Sequence, residues 1–184
     1  MRVIHRTYLP HSHIHIHVGV QITPLPEHKK PQYLLDLIAD GVSKGAAVVN
    51  TKYGGGDLYG SLMRPAVVYP VTSDMRLWHE EQFGPVIPIA VYNNLDEIYT
   101  YLQETTYGQQ AAVFISDITS TTAAPLIDIL STAVGRINVN TQCGRSPDAL
   151  PFSGRRSSAL GVFVYVCVCV VSIYVSVCVC VCVL

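Results

Sequence analysis

Two adjacent carboxylates in the middle of the chain are the residues whose types and spacing could most readily do chemistry. Glu80 and Glu81 precede the sequence Gln82-Phe83-Gly84-Pro85. An ionised carboxylate is an acceptor for both hydroxyls of a ribose diol, and its charge strengthens these hydrogen bonds. The alternative is a pair of solvated carboxylates in a loop, which is the commonest environment of such residues. The pair therefore indicates a candidate sugar-binding site, which needs support from the rest of the chain.

A second group of candidates lies towards the end of the chain. Arg145 follows Gly144 and is either a surface cation of a loop or a phosphate ligand, because a planar guanidinium donates bidentate hydrogen bonds. Cys143 has no general base or helix amino end near it in sequence, and we interpret it as an inert thiol rather than a nucleophile. Phe152 is by default a core aromatic residue. We assign no catalytic residue in this chain.

Alternating helices and strands must position these candidates. Apolar patterns predict strands over residues 46–49, 66–69, 86–91, 111–115 and 137–140, and helices from residue 31, over 94–102 and over 121–133. The glycines at 54–56 predict a turn rather than a phosphate loop, because no Gly-Lys-Ser/Thr sequence follows them. Strands that alternate with helices through short links predict an α/β fold with a mostly parallel sheet.

Capping residues and apolar stripes support the predicted helices. Pro31 suits the start of the first helix, and Gly45 would end it. Asn94 and Glu97 form a capping-box pattern at the start of the second helix. Pro125 must lie in the first turn of the third helix. The predicted buried stripes are Leu34, Leu35, Leu37, Ile38 and Val42 in the first helix and Leu95, Ile98, Tyr99 and Leu102 in the second.

The first 17 residues are rich in histidine. The histidines at 11, 13, 15 and 17 would lie on one face of a strand and could form a zinc-binding surface. No Asp or Glu lies nearby to orient the rings, and a translated CACATA repeat also gives His-Ile-His-Ile. We therefore predict no metal site there. The segment also lacks the uninterrupted apolar core of a secretory signal peptide.

The last 23 residues, 162–184, contain no charged residue and five of the six cysteines. Their length exceeds the ~20 apolar residues that cross a bilayer as a helix, and Arg155 and Arg156 before them would keep the body of the chain on the cytoplasmic side. However, a translated GTGTGT repeat gives the same Val-Cys alternation, and we favour this hypothesis. The Cys-x-Cys pairs lack the spacing of structural zinc sites, so we predict no metal site there either.

The composition changes along the chain and defines three regions. They are a His-rich, disordered or non-native segment (1–17), a partial α/β domain (18–161) and the apolar Val/Cys tail (162–184). The formal net charge of −1 gives no electrostatic argument for a nucleic-acid partner. Cys143 is the only cysteine outside the tail, which fits a reducing compartment.

Four blocks, in their order along the chain, resemble the carboxy-terminal half of the aldehyde dehydrogenase superfamily. They are Ile22-Thr23-Pro24-Leu25-Pro26, Glu80-Glu81-Gln82-Phe83-Gly84-Pro85, Tyr107-Gly108-Gln109-Gln110 and Gly135-Arg136-Ile137-Asn138-Val139-Asn140. The resemblance implies that Glu81 hydrogen-bonds the nicotinamide ribose of NADP or NAD and that Phe83 packs against it. Residues 135–161 are most similar to the NADP-dependent, non-phosphorylating glyceraldehyde-3-phosphate dehydrogenases. That similarity implies that Arg145 contacts the substrate phosphate and that Phe152 lines the aldehyde tunnel.

The resemblance also implies that essential parts of the enzyme lie outside these residues. In the family, a nucleophilic Cys attacks the aldehyde and a Glu activates water, and both residues lie upstream of the matching region, as does the cofactor domain. We therefore expect an incomplete catalytic domain that is inactive by itself. Its parent would be a cytoplasmic homo-oligomer that oxidises an aldehyde, glyceraldehyde 3-phosphate, to 3-phosphoglycerate. The alternative is a non-catalytic remnant that residues 162–184 tether to a membrane and that associates with full-length subunits.

Overall fold

The computed structural model describes residues 2–5, 22–116, 123–143, 154–159 and 178–182. The chain divides into two compact units, residues 7–91 and residues 2–6 together with 92–184. In chain order the elements are β1 (Arg2–His5), α1 (Lys30–Ser43), β2 (Ala47–Val48), a 3-10 turn (Thr51–Tyr53), β3 (Leu58–Tyr59), β4 (Leu62–Met63), β5 (Ala66–Tyr69), α2 (Arg76–His79), β6 (Val86–Tyr92), α3 (Leu95–Glu104), β7 (Tyr107–Gly108), β8 (Gln110–Phe114), α4 (Ala123–Ala133), β9 (Arg136–Val139), β10 (Arg155–Arg156) and β11 (Cys178–Cys182).

The first unit is built around β5. This strand pairs antiparallel with β2 and parallel with β6, with Ala66 opposite Val86 and Val68 opposite Pro88. Strands β3 and β4 form a separate hairpin. The residues of one apolar cluster make the core of this unit; they are Leu34, Leu37, Ile38, Ala46, Met63, Ala66, Val68, Val71, Met75, Leu77 and Val86.

Helix α1 buries one face against this core. Leu34, Leu37, Ile38 and Gly41 are its buried residues, at the i, i+3, i+4 and i+7 spacing of one helix face. The predicted stripe included Val42 instead, but this side chain is 49% exposed. The reason is that Gly41 lies close to α2 and β5: a Cβ on Gly41 would be 3.6 Å from both Leu77 and Val68. A residue without a side chain occupies the contact that the sequence pattern assigned to an apolar one.

A carboxylate of α1 caps the short helix α2. The N-cap of α2, Met75, makes no capping bond through its side chain. Instead, the backbone N–H of Arg76 donates to Asp40 Oδ2 at 2.8 Å, and Asp40 also pairs with Lys44 at 2.7 Å. These contacts hold the pKa of the Asp40 carboxyl below its ordinary value, first through the bond from Lys44 and then through the Arg76 N–H. The charge on Asp40 therefore links α1 to α2.

The second unit contains a four-strand ladder in the order β1, β11, β8, β9. Strand β11 pairs antiparallel with both β1 and β8, whereas β8 and β9 are parallel, from Gln110 opposite Arg136 to Val113 opposite Val139. Asn140 closes the end of the β8–β9 pair, because its side chain accepts from Ile115 N at 2.8 Å and donates to Ile115 O at 3.0 Å. Strands β7 and β10 form a separate two-residue ladder.

Two helices complete this unit. Asn94 caps α3 as the sequence predicts: its Oδ1 accepts from the backbone N–H of Glu97 at 3.2 Å. The buried residues of α3 are Ile98, Tyr101 and Leu102, while Leu95 and Tyr99 are only half-buried. Pro125 is the third residue of α4, within its first turn, where a missing N–H costs no helical hydrogen bond.

The α/β class predicted from the sequence is confirmed. The ladders described above are mixed: β5–β6 and β8–β9 are parallel, whereas β1–β11, β11–β8, β2–β5, β3–β4 and β7–β10 are antiparallel. In the described ranges, no helix is long and apolar enough to span a membrane, and no group of three or more His, Cys, Asp or Glu side chains could hold a metal. The His-rich stretch 11–17 and most of the tail lie outside those ranges; the membrane and translated-repeat hypotheses for the tail stay predictions.

Candidate functional site

The Glu-Glu-Gln-Phe-Gly-Pro segment, residues 80–85, connects α2 to β6 in the first unit. Glu80 ends α2 in an extended conformation, with φ −94° and ψ 139°. At the other end, the carbonyl of Pro85 accepts from Ala66 N at 2.9 Å, and the carbonyl of Gly84 accepts from Val86 N at 2.8 Å. Between these attachments the backbone is bent, because Phe83 has a φ of +41°. A non-glycine residue in this region is uncommon and is held there by its surroundings.

The bend leaves the Phe83 ring on the surface, and the next residue, Gly84, is itself exposed but lies against a core side chain. The Phe83 side chain is 65% exposed, which is unusual for a large apolar ring. A Cβ built on Gly84 would lie only 2.6 Å from Cδ1 of Leu34, and Leu34 is fully buried in α1. Glycine at this position lets the segment approach the helix closely.

A tyrosine of α1 holds the start of the segment. The Tyr33 hydroxyl lies 2.9 Å from the backbone carbonyl of Glu81 and 3.3 Å from Oε2 of Glu80. A hydroxyl has one proton to donate, and the shorter distance favours the carbonyl of Glu81. The partly buried Tyr33 therefore fixes the main chain at the residue that the sequence predicts to bind the ribose.

An ion pair within α2 engages the other carboxylate. Arg76 donates from Nε to Glu80 Oε1 at 2.6 Å and from Nη2 to Oε2 at 2.9 Å, which is the bidentate geometry preferred by guanidinium and carboxylate groups. The bonds from Arg76 hold the pKa of the Glu80 carboxyl below its ordinary value. Both carboxylate oxygens of Glu80 therefore accept hydrogen bonds from Arg76.

A lysine ammonium lies near two aromatic rings beside the segment. Lys30 Nζ is 4.8 Å from the ring centroid of Tyr33 and 5.8 Å from that of Phe83, within the range of a cation–π contact. The guanidinium of Arg76 lies 5.9 Å from the Tyr33 ring centroid. The surface around Phe83 therefore combines an exposed ring with a cation, and Glu81, two residues earlier in the chain, is half-buried.

This arrangement can bind a ligand that carries both hydroxyls and a flat face. The Glu81 carboxylate offers acceptors for a diol, and the exposed Phe83 ring offers an apolar surface. Both predicted cofactor-binding residues are therefore brought together in one segment. The predicted substrate-binding residues, Arg145 and Phe152, lie outside the described residues.

Sequence reasoning did not find three residues at this site, namely Arg76, Tyr33 and Lys30. Arg76 and Glu80 are four residues apart, a spacing that could have indicated their ion pair. Tyr33 and Lys30 lie in α1, 47 or more positions before the segment, and no local pattern connects elements over such a separation. Only the packing of α1 on the α2–β6 connection brings them to Phe83.

Cys143 lies in the second unit, where it is half-buried. Asn138 Nδ2 is 3.9 Å from its sulfur and also donates to the carbonyl of Ala111 at 3.0 Å. The described surroundings show the thiol next to an amide that β8 already engages.

Known proteins similar to this chain cover most of its length. It is 36% identical to the NADP-dependent glyceraldehyde-3-phosphate dehydrogenase of Streptococcus equinus over 145 residues, which are 78% of this chain and 29% of the relative. The enzyme of the same name from Pisum sativum is 31% identical over 140 residues, 76% of this chain and 27% of the relative. The chain thus spans less than a third of the length of these relatives.

The fold shows the same partial correspondence. The crystal structure of NADP-dependent glyceraldehyde-3-phosphate dehydrogenase from Bacillus halodurans, complexed with NADP, superimposes with a TM-score of 0.64 and 32% identity, covering 76% of this chain and 28% of that one. The aldehyde dehydrogenase family profile matches residues 12–169, which include the whole Glu-Glu-Gln-Phe-Gly-Pro segment. The four sequence blocks, the α/β elements and these comparisons agree, and the chain belongs to the aldehyde dehydrogenase family.

Proposed function

We propose that this chain is the cofactor-clamping part of an NADP-dependent aldehyde dehydrogenase that oxidises glyceraldehyde 3-phosphate to 3-phosphoglycerate. The observation that carries the proposal is the placement of Glu81 and the exposed Phe83 in one segment held against α1. The relatives named NADP-dependent glyceraldehyde-3-phosphate dehydrogenase support the choice of cofactor and aldehyde. NAD is the alternative acceptor.

The residues present fit one part of a nicotinamide dinucleotide. Glu81 would accept hydrogen bonds from the nicotinamide ribose, and Phe83 would pack against that sugar. The Lys30 ammonium, 5.8 Å from the Phe83 ring, adds positive charge where an anionic dinucleotide would approach. When bound, the cofactor would accept a hydride from the substrate. The part of this chain would be to orient the ribose.

The substrate side of the proposal rests on two residues beyond the described ranges. Arg145 would hold the phosphate of the aldehyde through bidentate hydrogen bonds, and Phe152 would line the aldehyde tunnel. Both roles come from the resemblance of residues 135–161 to these dehydrogenases. Cytoplasmic location and a homo-oligomeric parent are part of the same proposal.

A polypeptide of these 184 residues is expected to have no dehydrogenase activity by itself. The relatives share only 27–29% of their length with it, and we assign no nucleophile within it. Purified chain, mixed with glyceraldehyde 3-phosphate and NADP, should form NADPH no faster than buffer does. The Streptococcus equinus enzyme serves as the positive control. NADPH formation above background by the chain alone would contradict the proposal.

The clamp itself can be tested by binding rather than by activity. We expect NADP to bind the chain weakly and Glu81→Gln to raise its Kd tenfold or more, because hydrogen bonds to a charged group are strong. The matched control is Glu104→Gln, which removes the charge of an exposed glutamate on α3. NMR titration of the labelled chain measures both constants. Equal Kd values for the two variants would remove Glu81 from the site.

A further inference from the structure

The contacts around Glu80 form a cluster that acts on the main chain rather than on a ligand. Its members are Tyr33, Arg76 and Glu80, which we call the lock. Arg76 occupies both oxygens of Glu80, at 2.6 and 2.9 Å. Tyr33 reaches from α1 to the carbonyl of Glu81 at 2.9 Å. Each contact therefore ends at or next to the residue proposed to bind the ribose.

The order of the distances shows how the lock works. Oε2 of Glu80 already accepts a charge-assisted bond from Arg76, and its distance to the Tyr33 hydroxyl is the longer one, 3.3 Å. Because Arg76 satisfies Glu80, the single proton of the Tyr33 hydroxyl is left to the carbonyl of Glu81. Removing either partner of the ion pair would give Tyr33 a competing acceptor or leave a charge without its partner.

The segment beyond Glu81 needs such a constraint. Phe83 has a left-handed backbone, with a φ of +41°, and its side chain is 65% exposed, so its own packing does little to hold it. A non-glycine residue in this conformation is costly and persists only where the surrounding structure determines it. On one side Gly84 packs on Leu34, and on the other side the lock holds Glu81. The bend that exposes Phe83 lies between these two attachments.

We propose that Tyr33, Arg76 and Glu80 are positioning residues that hold residues 81–84 in the conformation that presents Glu81 and Phe83 to the ribose of a nicotinamide dinucleotide. This inference rests on the proposed function for its ligand and on the contacts above for its mechanism. The first glutamate of the pair thereby has a role different from the second. Glu80 fixes the main chain, and Glu81 binds.

The test removes one hydroxyl from the full 184-residue chain. Tyr33→Phe keeps the ring beside Lys30 and Arg76 but cannot donate to Glu81. The matched control, Tyr53→Phe, removes a hydroxyl from a side chain that is 75% exposed. Glu80→Gln is a second variant, which weakens the bond with Arg76 through loss of charge. Backbone order parameters of residues 81–84 and an NADP titration are then measured by NMR on the same samples.

We expect order parameters near the rigid value of about 0.85 in the unaltered chain and in Tyr53→Phe, and values falling towards about 0.6 in Tyr33→Phe and Glu80→Gln. The Kd for NADP should rise about two- to tenfold in these two variants, the effect of one lost hydrogen bond. A role limited to overall stability would leave the order parameters of residues 81–84 unchanged in the native state.

The outcomes separate the two proposals. Unchanged order parameters in Tyr33→Phe would overturn the lock. If the Kd for NADP is unchanged in Tyr33→Phe but higher in Glu81→Gln, the lock does not position the segment, and the inference is also overturned. If NADP shifts no resonance of residues 81–84 in any variant, the proposed function fails, and with it the assignment of the lock to a ribose site. Loss of order in Tyr33→Phe would then identify the lock as purely structural.

Discussion

Gly84 is the residue at which the candidate site meets the core. A side chain at this position would have to displace Leu34, because a Cβ would lie 2.6 Å from Leu34 Cδ1 and 3.1 Å from Cδ2. Leu34 is fully buried, so its methyl groups cannot move into solvent. We expect Gly84→Ala to destabilise the chain by roughly 1–3 kcal/mol, the usual range for overpacking a core. Urea unfolding followed by the fluorescence of Trp78, the only tryptophan, measures the change.

A second glycine provides the matched control for this prediction. Gly41 is buried in α1, but a Cβ there would make ordinary contacts at 3.6 Å with Leu77 and Val68. Gly41→Ala should leave the chain as stable as before or stabilise it by up to about 1 kcal/mol, since alanine favours the helix. If Gly84→Ala unfolds at the same urea concentration as Gly41→Ala, the segment does not pack on Leu34 as described.

At the residue scale, the sequence predicted the side chains that could bind a ligand better than the contacts that hold them in place. Glu81 and Phe83 could be selected because a carboxylate next to Phe-Gly-Pro is a local pattern. The hydrogen bond from Tyr33 could not be predicted, because it joins residues 48 positions apart. The bend at Phe83 could not be predicted either, since phenylalanine rarely adopts a backbone conformation with a φ of +41°. It depends on contacts at both ends of the segment.

Helix α3 begins with the capping residues that the sequence predicts. Asn94 Oδ1 accepts from Glu97 N at 3.2 Å, and Glu97 Oε2 in turn accepts from the backbone N–H of Asn93 at 3.2 Å. Losing the cap should cost about 1 kcal/mol. We therefore expect Asn94→Ala to unfold at lower urea concentration, monitored by far-ultraviolet circular dichroism. The control is Gln103→Ala on the exposed face of α3, which should change stability by less than about 0.5 kcal/mol; equal losses in both variants would refute the cap.

Other elements show where a sequence pattern stops being sufficient. Strand β5 and the strand predicted over residues 66–69 coincide, because a short apolar run between turns is a strong local pattern. The pairing of β2 with β5 is antiparallel, which no periodicity encodes. Tyr101 is buried in α3 although the predicted stripe contained Tyr99. A rotation of the helix by a fraction of a turn decides which tyrosine meets the core, and the neighbouring elements set that rotation.

At the scale of the whole molecule, the apolar tail leads to opposite expectations from sequence and from structure. Alternating β-branched residues without charge are prone to aggregate, so sequence alone predicts that removing residues 162–184 improves solubility. In the structure, Cys178–Cys182 is a strand that pairs with all five residues of β8 on one side and with β1 on the other. An unpaired edge on β8 would itself promote association between chains.

We expect the pairing of β11 with β8 to decide how removal of residues 162–184 affects association. A chain ending at residue 161 should associate more strongly than the full chain at the same concentration, and the amides of β8 that bond to β11 should exchange roughly tenfold faster for each hydrogen bond lost. Val179→Pro in the full chain keeps the length and the apolar composition of the tail, but proline fits poorly between two paired strands. It should therefore accelerate exchange in β8 as the deletion does. Sedimentation velocity and hydrogen exchange measure the two effects; a more soluble shortened chain with protected β8 amides would show that β11 does not stabilise the sheet.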